Sequence, residues 1–132
     1  MLKKMSFLFL GVLLLAGAAS NASAAAVNLN GLWQCDDGAV YYIRQIGNTV
    51  WWLGEDQTAV PPLFANVANG KIVAKKGTKQ VVLKWADVPK GSTANNGTLV
   101  LEIVTDPATG LTVLQKIGGS AIFLGTLWIP IP

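Results

Sequence analysis

Beyond the first two dozen residues, apolar and polar positions alternate with a period of two rather than 3.6. Val81, Leu83 and Trp85 alternate with Lys84 and Ala86, and Leu99, Leu101 and Ile103 bracket Glu102. Such alternation predicts half-buried strands, because neighbouring side chains on a strand point to opposite faces. The predicted strands are Leu29–Cys35, Val40–Ile46, Thr49–Glu55, Leu63–Ala68, Lys71–Lys76, Gln80–Trp85, Thr98–Val104, Leu111–Ile117 and Ala121–Ile129. Between them lie turn formers: Asp37-Gly38, Gly47-Asn48, Asn69-Gly70, Lys76-Gly77, the run from Gly91 to Gly97, the run from Asp106 to Gly110, and Gly118-Gly119. Several are hairpin-length, so strands adjacent in sequence should pair antiparallel. About eight short strands with tight turns predict an all-β fold, a single antiparallel up-and-down barrel whose closure removes exposed edges. A β-sandwich is the alternative.

The first three strands pose a register problem. The doublets Tyr41-Tyr42 and Trp51-Trp52 must each send one aromatic outward. Read as a two-residue turn, Asp37-Gly38 sets Trp33 opposite Tyr42 and Gly31 opposite Arg44; Gly47-Asn48 then sets Arg44 opposite Trp51 and Ile43 opposite Trp52. One face becomes Leu29, Gly31, Trp33, Cys35, Val40, Tyr42, Arg44, Ile46, Trp51 and Leu53, the more apolar set and the expected interior. On this reading Trp33 and Arg44 form a plug at one barrel end, the guanidinium stacking on indoles. The opposite face carries a row of Leu32, Ile43 and Trp52 with Tyr41, an expected apolar stripe on the outer wall.

The N-terminus has its own pattern. Lys3 and Lys4 precede an apolar run from Phe7 to Ala19, and Ala22-Ser23-Ala24 supplies a small-residue cleavage site. The run is too short to span a bilayer, so residues 1–24 read as a bacterial-style secretory signal peptide and 25–132 as the β-barrel domain. The expected location is secreted or periplasmic, with no membrane anchor. The chain has 132 residues and a formal charge of +3. Without Lys3 and Lys4, seven lysines and Arg44 face seven acidic groups, so net charge offers no reason to expect a nucleic acid partner. Cys35 is the sole cysteine, which excludes an intramolecular disulfide and reads as a buried, inert thiol.

Two segments resemble a family of small secreted bacterial proteins that is largely uncharacterised. The stretch YYIRQIGNTVWWLGE (41–55) is similar to its YYIRQ-x-GN-x-x-WW-x-GE block, and WADVPKGSTANNGTLVLEI (85–103) to its WADVP-x-G-x-T-x-N-x-G-x-L-x-L block. The resemblance implies a small β-barrel and carries no established activity. More loosely, Gly31-Leu32-Trp33 is similar to the G-x-W of calycins (lipocalins, fatty-acid-binding proteins and avidins). In lipocalins that Trp packs on an Arg at the closed end, a role the resemblance gives to Trp33 and Arg44. Here the Arg comes from the second strand rather than the last.

Histidine is absent from the chain, which removes the commonest general base and metal ligand. Asp36-Asp37 is accounted for by a hairpin turn and Glu55-Asp56 by a solvated strand end. No phosphate loop, dinucleotide fingerprint or calcium-loop spacing occurs. The expectation is therefore a non-enzymatic binding protein, with no catalytic residue, metal or cofactor. Its ligand is a small amphipathic or apolar molecule at the barrel mouth, with Tyr42, Arg44, Trp51 and Trp85 lining a cavity and Glu55 and Asp87 near the rim. The alternatives are a glycan- or protein-binding module (a lectin or an enzyme inhibitor) and a self-associating homo-oligomer. Both would use the outer stripe of Leu32, Tyr41, Ile43 and Trp52.

Overall fold

The computed structural model describes residues 27–89 and 94–132; the segment read as a signal peptide lies outside them. The strands are β1 (Gly31–Cys35), β2 (Ala39–Ile46), β3 (Thr49–Asp56), β4 (Ala65–Lys75), β5 (Thr78–Asp87), β6 (Asn96–Thr105), β7 (Thr112–Gly119) and β8 (Leu127–Pro130). They form a closed antiparallel barrel in sequence order, β8 returning to β1 through Cys35 and Trp128. The expected up-and-down barrel is thus the fold, and the sandwich is excluded. Asn69-Gly70 is not a turn: β4 runs straight through it and absorbs two of the expected strands. The apolar segment after Ser120 is not a strand either, since β8 begins only at Leu127.

The first hairpin departs from expectation by one residue, with large consequences. Trp33 pairs with Tyr41 and Gly31 with Ile43, so the loop is three residues, Asp36-Asp37-Gly38. Gly38 sits at φ +86° and its N–H donates to Cys35 O at 3.2 Å, the arrangement three-residue hairpins favour with glycine in the left-handed region. A one-residue slip flips every following side chain to the other face. The second hairpin pairs as expected, Ile43 with Trp52 and Arg44 with Trp51, so it transmits the flip to β3. Tyr41, Ile43 and Trp52, expected outside, are buried. Tyr42, Arg44, Trp51 and Leu53, expected inside, are exposed. The β1 assignment stands: Trp33 and Cys35 face in, while Leu32 is 40% exposed on the outside.

The interior is filled. Tyr41, Trp52, Trp85, Phe123 and Trp128 form one aromatic cluster, with Trp52 and Trp128 stacked at 5.5 Å and Tyr41 edge-on to Trp52 at 4.9 Å. Gly54, paired with Tyr41, makes room for the Tyr41 ring, because a Cβ there would lie 2.8 Å from two ring carbons. At the opposite end Leu29, Val50, Val81 and Leu101 are buried. The Trp33–Arg44 plug does not form. Trp33 Nε1 donates to Leu29 O at 3.0 Å, and Gln45 takes the polar role there. Its side chain accepts from Leu29 N at 2.8 Å and donates to Val27 O and Gly47 O.

Candidate functional site

The two barrel ends differ because their connections differ. One end carries the tight turns Gly47-Asn48 and Lys76-Gly77 and the Asp106–Leu111 turn, with a cleft of about 480 Å³ lined by Val27, Asn28, Lys79, Glu102, Thr105 and Thr112. The other gathers the Asp36–Gly38 turn, the connections 57–64 and 120–126, and the described ends of the β5–β6 connection, Val88-Pro89 and Ala94-Asn95. A cavity of about 430 Å³ opens at this mouth, lined by Phe64, Asn66, Trp85, Ile122, Phe123 and Leu124 with Asp36, Asp37, Asp87 and Asn95. Phe123 is the floor: it is 5% exposed and edge-on to Trp85 at 4.9 Å. Around the floor Leu124, 80% exposed, and Ile122, 57% exposed, line the cavity, and Leu63 on the 57–64 connection is 69% exposed. Loops usually present polar tips, so this collar is unusual for a connection without a partner.

The mouth is built from buried hydrogen bonds. Trp52 Nε1 donates to Asn66 Oδ1 at 2.9 Å, Asn66 Nδ2 to Tyr41 Oη at 3.4 Å, and Tyr41 Oη to Asp37 Oδ2 at 2.6 Å. The chain ties the aromatic core to a carboxylate at the cavity wall. Burial, then the facing Asp37 carboxylate, push the Tyr41 hydroxyl well above its ordinary pKa, so it acts as a neutral donor. Asp37 Oδ1 also accepts from Ala39 N at 2.9 Å.

Asp36 joins the first hairpin to the last strand. Its carboxylate accepts from Thr126 N at 2.7 Å, Leu127 N at 3.2 Å and the Thr126 hydroxyl. Partial burial pushes this carboxyl up, but the bonds from Thr126 and Leu127 outweigh it and hold the group below its usual range. Asp56 is held low in the same way by the Thr58 hydroxyl and the Leu63 and Thr58 N–H groups. Lys116 Nζ donates to Ser120 O at 2.9 Å and Phe123 O at 2.6 Å, so the Phe123-bearing connection is pinned from both sides. Burial pushes the Cys35 thiol far up, so it lacks the thiolate character that nucleophilic chemistry needs. Trp85 Nε1 is buried with no hydrogen-bond partner among the described residues.

Of the residues expected at the mouth, the structure brings Trp85 and Asp87 to the cavity wall. Asp87 closes the base of the 88–95 connection, its N–H donating to Asn95 O at 2.7 Å and its carboxylate accepting from Asn95 N at 3.0 Å. Tyr42, Arg44 and Trp51 are on the outer wall, and Glu55 is half-buried on the outward face near the rim. Sequence reasoning missed Asp36, Asp37, Phe64, Asn66, Asn95 and the 122–124 segment. The two aspartates were explained by the turn alone, and Ile122-Phe123-Leu124 has the look of a strand until its place in the barrel is known. No family model matches the chain, and searches of the curated proteins and of the solved structures return no significant match.

Proposed function

We propose that this chain is a secreted or periplasmic binding protein without a catalytic role, taking a small amphipathic or apolar ligand at the barrel mouth. The observation that carries the reading is the open cavity of about 430 Å³ with an aromatic floor and an apolar collar. The packed core beneath favours the mouth over a deep cavity, and the aromatic floor and apolar collar favour it over the cleft at the turn end. Phe64, Trp85 and Phe123 would take the apolar portion, and Asp37, Asp87 and Asn66 the polar end, a combination common to ligand pockets. Asp36 and Asp37 are engaged by structural hydrogen bonds, which fits positioning rather than proton transfer.

The test is titration with the neutral fluorophore N-phenyl-1-naphthylamine, following fluorescence enhancement. Saturable uptake is expected, weakened about tenfold or more in an Ile122→Ser/Leu124→Ser double variant, since the two changes together remove roughly 1.5 kcal/mol or more of apolar contact. Both side chains are exposed, so the fold should tolerate the change. Absence of saturable uptake, or uptake undiminished in the double variant, would overturn the reading.

A further inference from the structure

The near balance of charge along the chain hides a local segregation. Outward positions of β2 to β5 carry Arg44, Lys71, Lys75 and Lys84, with Glu55 at the rim as their only carboxylate. Within this wall, cross-strand pairing aligns Arg44 with Trp51, Trp51 with Asn69 and Asn69 with Lys84. A guanidinium, an indole, an amide and an ammonium therefore stand in one row over four adjacent strands, about 14 Å from end to end at ordinary strand spacing. A shallow groove of about 390 Å³ lies over the Trp51–Asn69–Lys84 part of the row, lined also by Val67 and Ala86, and Arg44 stands next to Trp51 just beyond its lining. Trp51 is 43% exposed, and the Asn69 amide makes one long bond, to Val50 O at 3.4 Å, leaving most of its capacity unused among the described residues.

We propose that this groove is a second binding site, separate from the mouth, and that its ligand is an anionic saccharide chain laid across the strands. The order of groups decides the class. An exposed indole offers a flat face on which a sugar ring stacks, an adjacent amide matches vicinal hydroxyls, and cations at both ends match carboxylates carried along the chain. A row one ring wide on a convex wall suits an extended chain better than the plane of a bilayer. Lys71, two residues further along β4 and on the same face, extends the positive field beside the row.

The experiment is calorimetric titration of the mature protein with an oligogalacturonate, a neutral cello-oligosaccharide of equal length, inorganic polyphosphate, and vesicles containing anionic lipid. Binding of the oligogalacturonate alone is expected, weakening as salt is raised. Trp51→Ala and the Arg44→Gln/Lys84→Gln double variant should each weaken it about tenfold or more, and Trp51→Tyr should retain most of it. The mouth variant Ile122→Ser/Leu124→Ser should bind it unchanged, which separates this site from the mouth. No binding of the oligogalacturonate, equal binding of the neutral oligomer, or binding of polyphosphate or vesicles that Trp51→Ala leaves intact would overturn the proposal. These side chains are all exposed, and an unchanged urea midpoint identifies each variant as folded.

Discussion

Replacing Tyr41 with Phe isolates one hydroxyl and tests which member of the tyrosine doublet faces inward. The ring contacts to Trp52 and Trp128 survive the change, since Phe keeps the same aromatic carbons. What is lost is the 2.6 Å bond donated to Asp37 Oδ2 and the 3.4 Å bond accepted from Asn66 Nδ2. The first is a short bond to a carboxylate, a class that contributes about 1.5–3 kcal/mol. The second is long and adds about 0.5–1 kcal/mol. Tyr41→Phe should therefore cost about 2–4 kcal/mol, a large part of the stability of a domain this size. Tyr42 is 49% exposed, and Tyr42→Phe should stay within about 0.5 kcal/mol. The assay is urea unfolding followed by tryptophan fluorescence. At an m-value of about 2 kcal/mol/M, the Tyr41→Phe midpoint should fall by about 1–2 M, with the slope unchanged and Tyr42→Phe close to wild type. Equal midpoints for the two variants, or the reverse order, would refute both the inward placement of Tyr41 and the hydrogen-bond chain drawn from it.

Acid should loosen the seam between the first hairpin and the last strand. The Asp36 carboxyl is depressed in the folded state, so its contribution is present above the unfolded value, about pH 3.9, and is lost as pH falls through the lower folded value. Urea midpoints at pH 7, 4, 3 and 2 should fall less steeply with acid in Asp36→Asn than in wild type, with Asp56 supplying the remaining acid dependence; coincident profiles would remove Asp36 from the account. Gly54→Ala should cost about 1–3 kcal/mol by overpacking, because the added Cβ meets the Tyr41 ring. Gly118→Ala, whose Cβ would be no closer than 3.7 Å to Val100, serves as its control, and equal melting temperatures for the pair would sink the close-approach argument.

The period of two was enough to establish an all-β chain, and the spacing of turn formers was enough to favour a barrel over a sandwich. The second hairpin was legible to the residue, because Gly47-Asn48 admits few loop geometries and Ile43 opposite Trp52 follows from it. The first hairpin was not. Asp36-Asp37-Gly38 reads equally well as a two- or a three-residue loop, and the two differ by one position in register. Both faces of β2 and β3 are apolar and aromatic, so the pattern could not reject the wrong choice. Only closure of the barrel decided it, by bringing Trp128 of β8 against Tyr41. The mouth was hidden for a related reason. Phe123 reaches the core from a connection rather than a strand, and Asp36, Asp37, Asn66 and Trp85 meet only after distant strands have paired. Local sequence determined which residues alternate; the closed sheet decided which side of that alternation became the core, because only there are both partners of each contact present.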